Sequence, residues 1–163
     1  MVAGTSGKPR LRLKRWLAGG LGVLALAVGP AAKAAPETTT LNSAELIQLE
    51  VQADRAKPRD QCYLYTQLVD ALTETAAQQV AAGEVEDAGK TVGRISVVAA
   101  KLQQAAARDA RKLKDAEKIL SETARKLKDL SRVASGGERD EMRAALAKLD
   151  AAHNKILDLV FRQ

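Results

Sequence analysis

Histidine and cysteine are almost missing from this chain, with one of each, His153 and Cys62, in 163 residues. The two lie far apart in sequence, so no three-ligand metal set can be assembled from imidazoles and thiolates, and neither metal nor cofactor is expected. The same scarcity leaves the serines without an identifiable general base. No catalytic residue is therefore expected, and the chain reads as non-enzymatic. No stretch alternates apolar and polar residues with the period of a strand, which places the fold in the all-α class. Long apolar runs are missing too: Leu17 to Val28 gives twelve residues, and a membrane span needs about 20.

Acidic residues are absent from the first 34 positions. Lys8, Arg10, Arg12, Lys14 and Arg15 precede the Leu17 to Val28 run, and Ala32-Lys33-Ala34 follows it as a small-x-small site. That order of basic, apolar and cleavable segments predicts a signal peptide over residues 1–34 and export to a periplasmic or extracellular space. A membrane would be met only through this leader, were it left uncleaved. Residues 1–34 hold six of the 26 basic residues and none of the 20 acidic ones, leaving 20 of each sign and a mature chain with no formal net charge. A nucleic-acid partner is therefore not expected. The charge is unevenly placed: residues 35–89 carry 3 basic and 10 acidic residues, and residues 90–132 carry 12 and 5. The acidic front half and the basic stretch are expected to face each other, within the fold or across a dimer.

After a polar linker at 35–40, the domain over 41–163 reads as four helices, at about 42–57, 60–82, 85–134 and 138–161. Pro58 ends the first, Asp60 is a candidate N-cap for the second, and Gly83 stops it. The third is the organising element. Val85, Val92, Ala99, Ala106, Leu113, Leu120, Leu127 and Ala134 recur in sevens, and three residues after the first seven of them come Ala88, Ile95, Leu102, Asp109, Ala116, Thr123 and Leu130. Asp109 and Thr123 alone break the apolar seam, and the hexapeptide ARKLKD at Ala110 recurs two heptads later at Ala124. A continuous spine would be about 75 Å long and its neighbours about 35 Å each. The expected architecture is thus helical hairpins folded back on a long central helix; a kink near Asp109, closing a compact four-helix bundle, is the alternative.

The turn Gly83-Glu84-Val85-Glu86-Asp87-Ala88, followed by Val92 and Ile95, resembles the middle of a tetratricopeptide repeat, over about one repeat's length. The chain departs from that pattern at Thr75 and Gln79, where the motif has large apolar residues. As a whole, the mature chain looks like helical proteins of no assigned activity that many bacteria export. It shares with them a charged amphipathic helix, a short turn and a closing helix ending in Leu-Val-Phe.

Gly83 to Thr91 (GEVEDAGKT) misses a phosphate-binding loop by one residue of spacing. It also joins two helices and carries Glu84, Glu86 and Asp87 where phosphates would sit, so nucleotide binding is excluded. His153 falls in the apolar stripe of the last helix, between Leu149 and Ile156, and reads as a boundary residue. Asp140 and Glu141 read as first-turn helix charges. Arg111, Lys118, Arg125 and Arg132 form a ridge opposite the seam, with Asp115, Glu122 and Asp129 placed to neutralise the first three at i+4.

These readings lead to an exported, non-catalytic helical protein that acts through helix-mediated contact with another protein or with itself. A periplasmic chaperone or stress sensor is the alternative, although the chain lacks both the Leu-Thr-x-x-Gln signature and the histidines of such proteins. The expected interaction surface combines the thin part of the seam (Ala99, Leu102, Ala106, Asp109) with the ridge (Arg111, Lys118, Arg125, Arg132). An antiparallel homodimer is expected there, and Cys62 is a candidate for cross-linking two chains.

Overall fold

The computed structural model describes residues 41–162 apart from 109 and 135. The leader, the linker and Asp109 lie outside the described residues. Five helices follow in order: α1 (Ser43–Arg55), α2 (Pro58–Ala82), α3 (Val85–Ala106), α4 (Leu113–Val133) and α5 (Gly136–Phe161). The fold is all-α.

Local chemistry explains most of the helix ends. Asn42 caps α1, its side chain accepting from the Glu45 N–H at 3.0 Å while its own N–H donates to the Glu45 carboxylate at 2.7 Å. Satisfying two orphan donors at once, this pairing sets the start of the helix. α2 begins at Pro58, two residues before the position expected from Asp60, because a proline in the first turn has its φ already set and no N–H to satisfy. At its other end Gly83 turns left-handed (φ 76°), and the Glu84 and Gly83 N–H groups return to the Gln79 and Val80 carbonyls at 2.8 and 3.1 Å. The carbonyls left open by the last turn are thereby closed.

The continuous spine from Val85 to Ala134 is corrected by the structure, which takes the alternative instead, a break between Ala106 and Leu113 that closes a compact bundle. α3 stops at Ala106 and α4 starts at Leu113, so the chain bends between them. Ala107 and Arg108 tighten the end of α3 with bonds to Gln104 and Ala105, and Lys112 enters α4 with φ at +56°. The backbone N–H of Arg111 donates to the Arg59 carbonyl at 2.8 Å, fixing the crossing to the first turn of α2. The physical reason is coverage. Helices of about 35 Å cannot bury both halves of a 75 Å seam, whereas bending brings Ala99, Leu102 and Ala106 into the same core as Leu113, Ala116 and Leu120. Burying that apolar surface, at roughly 25 cal/mol per Å², outweighs the helical hydrogen bonds given up and the 1–2 kcal/mol, roughly, of a left-handed residue.

The resulting bundle is a ring in the order α2, α3, α5, α4, each helix packing on its two ring neighbours, with α1 against the outside of α2. Consecutive helices α3 and α4 occupy opposite corners. Hence α2 and α4 run parallel as neighbours, as do α3 and α5. One core runs through the ring, with Leu68, Leu72, Ile95, Leu102, Leu120, Leu127, Met142, Leu149 and Ile156 fully buried.

Charge is matched across the same elements. Glu50 of α1 pairs with Arg94 (3.1 Å) and Lys101 (3.4 Å) of α3, and Asp54 pairs with Lys101 at 2.9 Å. Lys126 of α4 reaches Asp70 at 3.2 Å and also Glu74, both on α2. The acidic front half therefore faces the basic stretch within one chain. Half-exposed pairs of this kind contribute about 0 to 1 kcal/mol each, so they set register more than stability.

Candidate interaction surface

The residues expected to form a docking surface are divided by the fold. Ala99, Leu102 and Ala106 are buried in the core, between α2 and α5, and are not part of the bundle's outer surface. Lys118, Arg125 and Arg132 are exposed along α4, and Arg111 is exposed in the crossing just before it. Among the described residues the ion pair on this ridge joins Arg132 to Asp129 at 3.1 Å, in place of the expected i+4 pairs. Cys62 is 0% exposed, and burial pushes its thiol up to about 11. Both facts remove it as a cross-linking group while the bundle is closed.

His153 sits at the α4–α5 boundary as its stripe implies, but it has a partner that its sequence position does not reveal. Its Nε2 lies 3.1 Å from Glu117 Oε1. Thr123, one of two breaks in the seam, is buried, and its Oγ1 lies 2.8 Å from both Asp70 Oδ1 and the Ile119 carbonyl, which share its proton. On the α1 side, the Tyr65 hydroxyl donates to Asp54 at 2.7 Å. That bond, with Lys101 behind it, holds the Asp54 carboxyl below its usual range. Tyr65 is pushed up to about 12, first by burial and then by Asp54, while the bond to Asp54 raises Lys101.

A groove of about 730 Å³ runs between the N-terminal halves of α3 and α5. Val85, Gly89, Val92 and Gly93 from one helix and Ala144 from the other line it, with Glu86, Glu138 and Glu141 along its edges. Glycine keeps it open: a Cβ at Gly93 would meet nothing within 4 Å, and one at Gly89 would come within 3.3 Å of Glu141 Oε2. Val85 (45% exposed) begins this face, and Val97 (57% exposed) lies one turn beyond Gly93, just past the residues that line the groove. The spacing of Val85, Gly89, Gly93 and Val97, four residues at each step, puts all four on one ridge of the helix. Lys90, at the edge, is held by Glu86 and Asp87 at 3.0 Å each, and the bonds to them raise its ammonium. Among the described residues, Glu138 and Glu141 have no cationic partner within ion-pair distance.

Two further grooves are more polar or more fully engaged. Between α2 and α4, at about 420 Å³, Lys126 and Glu74 are paired with each other. Between α4 and α5, at about 370 Å³, Arg125, Lys128, Asp150 and His153 mix both signs. Among the described residues no helix is long and apolar enough to cross a membrane. The α3–α5 groove was missed in the sequence because its α3 ridge of glycine and valine lies just outside the heptad seam. The i, i+4 series from Val85 to Val97 was the signal that could have found it.

No family model, no curated protein and no solved structure matches this chain.

Proposed function

We propose that this is an exported, non-catalytic helical protein that works by receiving a helical segment of another protein along the α3–α5 groove. The observation that carries the reading is the contrast between two outer faces. The α3 ridge from Val85 to Val97 is apolar, smooth and open, whereas the outer face of α4 is mostly charged, with Val133 exposed at its end. An apolar exposed strip beside a groove is uncommon on a protein surface without a partner, and small residues let a second backbone approach closely. Export rests on the basic, apolar and cleavable order of residues 1–34.

A photo-reactive side chain placed at Val97, compared with one at Lys118 on α4, tests the reading in the native envelope. Adducts of defined mass are expected from position 97 only, and Gly93→Arg should abolish them without changing the melting temperature. Equal labelling from both faces, or adducts indifferent to Gly93→Arg, would reject the groove as the functional surface.

A further inference from the structure

The seven-residue repeat passes through the bend without losing phase. Ala106 and Leu113, the last and first apolar positions of α3 and α4, are seven residues apart, and the seam on either side is buried. Two independent helices joined by a loop need no such agreement. Nor is the joining sequence a turn sequence: residues 107–112 read Ala-Arg-Asp-Ala-Arg-Lys, without glycine or proline and rich in helix formers. Lys112 is the one non-glycine residue among those described with positive φ, and no side chain caps the N-terminus of α4. Long-range contacts hold the bend: the Arg111 N–H on the Arg59 carbonyl, and the Lys112 ammonium over the Tyr63 ring, 4.4 Å from its centre.

We propose that residues 107–112 are a hinge through which two copies of this chain exchange their α4–α5 hairpins. In the exchanged form the bend straightens, α3 and α4 become one helix in the register that the heptads already encode, and each α4–α5 hairpin lands on the α2–α3 hairpin of the second copy. Every contact between the two hairpins is reproduced, now between chains, including Lys126 with Asp70 and Glu74. What changes is the hinge itself: Lys112 leaves its left-handed conformation, helical hydrogen bonds form, and the contacts to Arg59 and Tyr63 are lost. Since the interface is the same in both states, the balance is set by hinge strain and protein concentration.

The test refolds the full chain at low micromolar and at near-millimolar concentration and follows its mass by light scattering, with circular dichroism to verify folding. Lys112→Gly removes the left-handed penalty and should leave only monomer. Lys112→Val, a β-branched residue where φ is positive, should lower the dimer dissociation constant roughly tenfold relative to wild type, the equivalent of about 1.4 kcal/mol. Zero-length cross-linking of mixed isotope-labelled and unlabelled chains should join Lys126 to Glu74 between copies in the dimer and within one copy in the monomer. Monomer at every concentration in all three proteins would overturn the proposal. So would a dimer whose Lys126 to Glu74 cross-links stay within single chains.

Discussion

Tyr65, Asp54 and Lys101 form a hydrogen-bonded polar cluster between α1, α2 and α3, and their protons are coupled to the stability of the fold. The folded state holds the Tyr65 proton more tightly than the unfolded chain does, so its contribution is complete below pH 10 and is lost as the pH rises towards about 12. Asp54 acts at the other end: its stabilising share is present above the ordinary carboxylate value and disappears as the pH falls below it. Tyr65→Phe should cost about 1.5 to 3 kcal/mol at pH 7, the range for a hydrogen bond to a charged group. The gap from wild type should shrink at pH 11, where the unfolded wild-type tyrosine has ionised; urea denaturation at both pH values measures it. Little of this was legible in the sequence. Thr123 could be seen interrupting a seam, but its acceptor, Asp70, comes from another helix and is found only once α2 and α4 lie side by side.

At the level of elements, the sequence told where helices exist better than where they end. Gly83 marked a real stop because a left-handed glycine is local chemistry. The bend after Ala106 left one mark, the polar Asp109 in the seam. It allowed a kink there as the alternative but could not decide for it, since residues 107–112 otherwise favour helix and the burial of the seam rewards breaking it. The position of that seam distinguishes the two architectures. On an extended spine Leu102 would sit at a partly covered flank, but in the bundle it is fully enclosed. Leu102→Ala should therefore cost about 2 to 5 kcal/mol in thermal or urea unfolding; a loss under 1 kcal/mol, roughly the value for a surface site, would contradict the enclosed core. α1 is the converse case. It packs on α2 alone and reaches α3 through Glu50 and Asp54. Its amides should exchange with solvent faster than those of the other helices, and faster still in high salt, where half-exposed ion pairs are screened. Hydrogen exchange followed by mass spectrometry reads both effects.

For the whole molecule, the charge asymmetry of the sequence was legible and its use was not. Acidic and basic stretches of one chain could meet inside the fold or between two chains, and the residue counts are the same in either case. The pairs of Glu50, Asp54, Asp70 and Glu74 with Arg94, Lys101 and Lys126 show them meeting inside the fold. The candidate groove was hidden for a related reason: heptad counting finds the face turned inward, while Val85, Gly89, Gly93 and Val97 belong to the face left outside.

Cys62 has a use that follows from its enclosure. It lies one turn along α2 from Arg59, whose carbonyl anchors the crossing from α3 to α4, and at neutral pH its thiol is both protonated and sealed. A thiol reagent can react only with molecules that have opened. As the sole cysteine in the chain, it makes the rate of labelling under native conditions a built-in measure of how often that end of the bundle comes apart, readable in the unmodified protein.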